Sequence, residues 1–507
     1  MHATVELGAA LLAAVVAIAA VASRARIPTP VALVAGGLAL GFIPGIPDVN
    51  LDPDLVLFAF LPPLVYAAAF FGSRRELRDH AGQVGLLALG LVVVTVVGVA
   101  AVAHWVAGLA WAPAFVLGAV LGPTDPIAAT AITRRLGAPE RINTLLEGEA
   151  LINDGTALAV YKIALAAAVS GTFALGSAGL RFLGVALGGA AIGLLVGWAA
   201  IRARRRIADP QLEIAFSLLT PFVAYLPAER AGASGVLAAV VAGLYVGWYS
   251  SEVVSAGTRL QSASFWRVVQ FTFESALFLL VGLQTPDVLG RIDGAPLSLV
   301  GEAAAIIGLI FVVRFAWMFV VVRRSGVPPR QLVVLGWSGM RGAVSFAAAL
   351  AVPLAVAQRD LILFLTITTV FATLVPPSLT LGRLVCALGL GTGEEERRRE
   401  VDVRIRLAQV ALDRLAEVTG EERPSEEVMG RMRGLYEARL DRLEAVRDDP
   451  AGEDGDSRSS RPLRRALVTA EREELARLRE ERELSPQVAE EIREDLDLEE
   501  ARLAKEQ

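Results

Sequence analysis

APAFVLGAVLGPTDPIAATAIT, residues 112–133, is long and apolar enough to cross a bilayer, yet it holds an aspartate beside two prolines near its middle. Pro123 and Pro126 each remove a backbone donor, and each disfavours helix at the residue before it, here Gly122 and Asp125. The stretch therefore reads as two half-helices with a break near mid-membrane. Broken backbone is tolerated at that depth where it lines a polar cavity, and its freed carbonyls and helix ends can bind ions. Even if Asp125 only capped the second half-helix, it would still need such a cavity around it.

A second interruption lies late in the chain. Residues 331–357 contain Gly336-Trp337-Ser338-Gly339-Met340-Arg341-Gly342, glycine-dense enough to break a helix. One interrupted span early and one late predict inverted repeats whose discontinuous helices cross at a midplane site. Between them, residues 143–169 carry Glu147, Glu149, Asn153, Asp154 and Lys162. At about 100° per residue, Glu149 and Asp154 fall roughly 140° apart and cannot serve one site on one face, whereas Glu149 and Asn153 share a face. Lys162 is about 12 Å along the axis from Asp154, too far for a direct pair, and reads as snorkelling toward the outer interface. Each charge at this depth costs several kcal/mol and so marks function. Arg341 keeps its proton and needs a carboxylate; Glu149 is assigned to it as a structural ion pair. Glu274 and Arg314 are further intramembrane charges, in the tenth and eleventh spans, without assigned partners.

The frame around these segments follows from hydropathy and charge. The chain of 507 residues is 54% hydrophobic, and its apolar stretches end near Leu390. Thirteen spans are predicted, at 6–23, 28–45, 54–72, 82–108, 112–133, 143–169, 179–201, 211–227, 232–249, 265–285, 297–322, 331–357 and 361–388. Every second loop collects arginine, 17 against 4 in the intervening loops. Because cytoplasmic loops are the basic ones, the N-terminus is expected outside and the C-terminus in the cytoplasm. The first stretch, with no basic region before it and no cleavage site after it, reads as a retained helix. The fold class is thus an all-α polytopic membrane protein, with a transmembrane domain at 1–390 and a charged helical cytoplasmic tail at 391–507.

The formal net charge of -5 divides between these two parts. Before Gly391 stand 25 Lys and Arg against 20 Asp and Glu; from there on 23 stand against 33. In the tail, Leu407, Val410, Leu415, Leu435, Leu440 and Leu443 are expected to line apolar seams. Residues 450–462 read as a linker, and a further charged helix is expected at 463–484. No basic patch interleaved with aromatics appears, which speaks against nucleic acid as a partner. A single cysteine, Cys386, excludes an internal disulfide, and His2, His80 and His104 lie far apart and read as interface residues. No cofactor is expected, since the Walker and GxGxxG patterns are absent, and the chain does not read as an enzyme.

Five strings in order now carry a resemblance: LPPLVYAAAF (61–70), GPTDPIAATAI (122–132), LLEGEALINDG (145–155), FLLVGLQ (278–284) and GMRGAVSFA (339–347). Together they resemble the NhaP and sodium-hydrogen exchanger type of antiporter, the electroneutral branch of the monovalent cation:proton antiporter superfamily. The resemblance covers nearly all of the membrane part. It implies a homodimer in the plasma membrane, a rigid dimerisation part and a mobile core, and a role in pH homeostasis. It carries over Thr124, Asp125 and Asp154 as ion-site residues, with Asp125 and Asp154 holding Na+, Asn153 as neighbour of the second aspartate, and Glu149 with Arg341 as a structural pair. Two departures stand out. Some archaeal relatives have a serine and a glutamate where this chain has Ala150 and Ala67, so backbone carbonyls, Thr124 and water are expected to complete the shell.

The implied activity is exchange of Na+ or Li+ for H+ by alternating access, with proton and cation competing for one buried carboxylate, Asp154. Electrogenic relatives have an aspartate where Asn153 stands, and an amide cannot titrate, so one-for-one electroneutral exchange is expected. The alternatives are a K+/H+ antiporter and a non-transporting ion or pH sensor.

Overall fold

The structure, a computed structural model, describes residues 2–448 except 26, 44–52, 73–77, 171–174, 208, 293–295, 392–393 and 418–424, together with a few positions between 471 and 477. Every regular element among the described residues is helical. In chain order these are α1 (His2–Ala25), α2 (Thr29–Gly41), α3 (Pro53–Ala59), α4 (Leu61–Phe70) and α5 (Ala81–Trp105). There follow α6 (Trp111–Leu121), α7 (Ile127–Arg135), α8 (Glu140–Ser170), α9 (Leu175–Arg204), α10 (Pro210–Arg230) and α11 (Gly235–Val253). The membrane part closes with α12 (Ala256–Arg291), α13 (Pro296–Val320), α14 (Pro329–Trp337), α15 (Ala343–Leu350) and α16 (Arg359–Ala387); α17 (Glu394–Glu417) and α18 (Glu426–Asp448) lie beyond it.

All thirteen predicted stretches fall on these helices, with the fifth split into α6 and α7 and the twelfth into α14 and α15. A third interruption escaped the sequence reading. Residues 54–72 form α3 and α4, divided at Phe60, where Pro62 and Pro63 supply no N–H to the preceding turn. Boundaries also moved. The tenth span, expected at 265–285, is the 36-residue α12, started by the Ser255 hydroxyl accepting from the Thr258 N–H at 3.2 Å. At about 1.5 Å per residue it is roughly 54 Å long, more than the hydrocarbon layer needs, because its first turns are polar and hydropathy could not see them as part of one helix.

Large apolar side chains face outward along the bundle: Val16 and Val21 on α1, Leu187 and Leu195 on α9, Val312 and Val320 on α13, each more than half exposed. Water would penalise that surface, and lipid tails accept it. Inside, helices approach closely through small residues. A Cβ on Gly37 of α2 would collide with the Leu279 carbonyl, and one on Gly282 of α12 with the Val34 carbonyl, so the two glycines let the backbones touch.

A second compact unit begins at Gly393. Its helices α17 and α18 pack on each other. Val401, Ile405 and Ala408 on α17, with Met429 on α18, are buried, whereas Leu407, Val410 and Leu435, expected in apolar seams, are each more than half exposed. Both stripes on α17 have helical spacing, so sequence alone could not say which faced the partner helix. The expected linker at 450–462 and nearly all of the expected helix at 463–484 lie outside the described residues.

Candidate ion-binding site

The two interrupted spans meet at their breaks. The Asp125 N–H donates to the Met340 carbonyl at 2.8 Å, so the backbone of one break hydrogen-bonds the other. Each half-helix end carries part of a dipole and unsatisfied backbone groups, and each is met by a charge. The C-terminal end of α6 offers the Leu121 carbonyl, which accepts from Arg341 Nε at 3.1 Å. The C-terminal end of α14 offers Leu335 and Gly336, whose carbonyls accept from Arg314 Nε at 3.1 and 3.2 Å. Asp125 serves the opposite ends: its Oδ1 accepts the Ile127 N–H at the start of α7 at 3.0 Å, and its carboxylate lies against Gly342 at the start of α15. Glycine is required at 342, because a Cβ there would occupy the space of that carboxylate.

Glu149 pairs with Arg314, not with Arg341. Arg314 Nη1 and Nη2 donate to Glu149 Oε1 and Oε2 at 2.6 and 3.1 Å, a two-pronged contact between side chains 3% and 2% exposed. Arg341, equally buried, is occupied by carbonyls, with Nη1 on Gly339 at 2.7 Å in addition to the contact with Leu121. The physical reason is that a helix break exposes carbonyls. Those oxygens satisfy a guanidinium without a carboxylate, which leaves Glu149 for the arginine of the uninterrupted α13. Thr124 joins the pair, its hydroxyl donating to Glu149 Oε1 at 3.0 Å and accepting from Asn153 Nδ2 at 2.7 Å. Asn153 thus sits on the Glu149 side of α8, as their shared face required, and it does not line the cavity described next.

That cavity, of about 310 Å³, lies beside the crossing. Asp125, Asp154 and Glu274, with Glu147 at the mouth, bring four carboxylates to its wall, with Thr124, Thr130 and Ser345 among the hydroxyls. Asp154 Oδ1 is buried and has no hydrogen-bond partner, while Glu274 has no hydrogen bond or ion pair with any described residue. The cavity reaches the surface next to Arg134 and Glu147, which pair at 2.7 Å and are 57% and 38% exposed. Past Asp154 the helix is packed, with Ala157, Leu158, Ala159 and Tyr161 buried. Lys162 departs from its expected snorkelling: Nζ donates to Glu229 Oε2 and to the Ala233 carbonyl, both at 2.7 Å, and so ties α8 to the α10–α11 turn. Sequence reading missed Ser345 altogether, since a lone serine in an apolar half-helix commonly hydrogen-bonds its own backbone and gives no signal. It marked Glu274 only as a charge without a partner.

Comparison with known proteins places this geometry. A family model described as sodium/hydrogen exchanger, transmembrane, matches residues 10–386. The uncharacterized Na(+)/H(+) exchanger YjcE of Escherichia coli is 32% identical over 98% of this chain and 98% of its own length. A sodium, potassium, lithium and rubidium/H(+) antiporter of Bacillus pumilus is 30% identical over 92% of this chain and 73% of its own. Among solved structures, the sodium proton antiporter MjNhaP1 of Methanocaldococcus jannaschii superposes with a TM-score of 0.62 at 20% identity, covering 77% of this chain and 98% of that one. That last likeness establishes the fold.

Proposed function

The chain belongs to the sodium/hydrogen exchanger family, and from that premise we propose that it exchanges Na+ or Li+ for H+, one for one, by alternating access at Asp154. The observation that carries this reading is a buried carboxylate oxygen without a partner, Asp154 Oδ1, in a cavity beside the crossing of two broken helices. A carboxylate out of bulk water is stable when a proton or a cation neutralises it, so the two compete for one site. Competition supplies the coupling: the moving part crosses only with its charge neutralised. Asp125 holds two half-helix starts together, and Glu149 with Arg314 fixes α8 to α13 without entering the competition.

The cavity opens beside Arg134, in the last turn of α7 where one of the arginine-rich connections begins, which supports an inward-facing state in a chain with its N-terminus outside and its C-terminus in the cytoplasm. The proposed setting is the plasma membrane, the proposed assembly a homodimer, which native mass spectrometry in detergent checks, and the proposed role of residues 391–507 regulatory. Proton flux in proteoliposomes with Na+, Li+ and K+ added in turn tests the function itself. Na+ or Li+ should dissipate an imposed pH gradient, and Asp154→Asn, which keeps size and removes the titrating charge, should abolish the response while the protein remains folded. No response of the wild type to any of the three ions, or full flux in the variant, would overturn the reading. Potassium is the second cation to test, because one relative's name includes it and Ala67 and Ala150 contribute no side-chain oxygen to narrow the shell.

A further inference from the structure

We infer that the Ser345 hydroxyl is a cation ligand, the side-chain oxygen that the second interrupted span contributes to the ion held at Asp154; the inference rests on the cation reading of that site. Ser345 stands in the first turn of α15, is 1% exposed, and lines the same cavity as Asp154. Its Oγ has no hydrogen-bond partner. In an uninterrupted helix a serine hydroxyl commonly donates to the carbonyl four residues back. Here that residue is Arg341, inside the break, while the Gly342 carbonyl is taken by the Phe346 N–H at 3.3 Å. The break therefore removes the usual partner and leaves a hydroxyl facing the cavity.

Apart from the Glu274 carboxylate, which is only partly buried, other oxygens of the cavity are engaged. Thr124 donates to Glu149 and accepts from Asn153, Thr130 donates to the Pro126 carbonyl at 2.9 Å, and Asp125 accepts from Ile127. Ala150 lines the cavity without a side-chain oxygen. Asp154 Oδ1 and Ser345 Oγ are the two buried side-chain oxygens of the cavity without a partner among the described residues, and they come from different spans. A hard monovalent cation takes several oxygen ligands, whereas a proton needs one. A neutral hydroxyl in the cavity that holds Asp154 therefore favours the cation over the proton without altering the charge that both must neutralise. Ser345 is in that sense a residue that sets the terms of the competition.

Sodium binding to the purified full chain, followed by isothermal titration calorimetry at constant ionic strength, tests this apart from transport. Ser345→Ala and Ser345→Cys should each weaken Na+ binding about tenfold, the scale of losing one oxygen contact to a charged group, while Ser345→Thr, which keeps the oxygen, stays within about twofold. Cysteine is nearly the size of serine and a poor ligand for a hard ion, so a loss there is not a packing effect. In proteoliposomes the same two variants should need more Na+ for half-maximal exchange at little changed maximal rate. At fixed Na+, protons should outcompete the weakened cation up to a higher pH, moving the acid limb of the profile upward. Binding within twofold of wild type in all three variants, a threonine variant as weak as alanine, or no Na+ binding by the wild type would overturn the assignment. Na+ binding without exchange would instead sink the antiport reading and leave the ligand standing.

Discussion

Glu149 shows how much depends on which of two arginines a carboxylate meets. Its oxygens take both prongs of Arg314 and the Thr124 hydroxyl, almost entirely out of solvent. Removing one partner of such a pair strands a buried charge at a cost of about 3–5 kcal/mol, whereas removing both relieves part of it. Glu149→Gln and Arg314→Gln are each expected to lower thermal stability in detergent sharply, and the double variant should recover a good part of the loss. Strict additivity in that cycle would count against the contact. Arginine at 341 performs a different task, closing the carbonyl end of α6. Its partner was misread from sequence because residue spacing locates charges along a helix but says nothing of how a distant helix is rotated toward it. Glu149 and Asn153, by contrast, were rightly placed on one face, since that relation lies within a single helix.

At the scale of elements, the crossing of α6–α7 with α14–α15 works only because the chain is thin at the contact. Gly342 admits the Asp125 carboxylate to the start of α15, and Gly339 admits the Arg314 side chain. Gly342→Ala should therefore push the two breaks apart, costing about 1–3 kcal/mol by overpacking and most of the exchange activity. Gly301→Ala on α13, where the added Cβ meets nothing within 4 Å, is the matched control and should leave both unchanged. Equal melting temperatures and fluxes for the two variants would show that the contact at 342 does not matter. Prolines and glycines announced both breaks in the sequence. The third interruption, at Phe60, went unread because Pro62 and Pro63 stand near the start of a helix, where proline is tolerated and its signal is weak.

At the scale of the whole molecule, two predictions concern what crosses the membrane and what does not need to. Moving one net charge through 100 mV is worth about 2.3 kcal/mol, so an exchanger that is not one-for-one must respond to voltage. With Asn153 an amide, an imposed potassium-valinomycin potential should leave the equilibrium sodium/proton ratio unchanged, once potassium is shown not to be carried. A sodium gradient that follows the voltage would point to Glu274, a further carboxylate of the cavity, as a second proton carrier. A chain truncated after Leu390 should keep measurable exchange with an altered pH or cation dependence, because every cavity residue precedes that point; complete loss of flux in a folded truncation would assign the tail a larger part. From the sequence by itself came the thirteen helical stretches, their two polar breaks, the acidic tail and the candidate carboxylates, all of which depend on periodicity, proline chemistry and the cost of charge in lipid. Tertiary structure alone decided that Arg314 takes Glu149, that Thr124 and Asn153 join that network, that Lys162 ties α8 to the α10–α11 turn, and that Ser345 faces Asp154's cavity. Such pairings depend on how helices far apart in the chain are rotated about their axes, and nothing in local sequence encodes that angle.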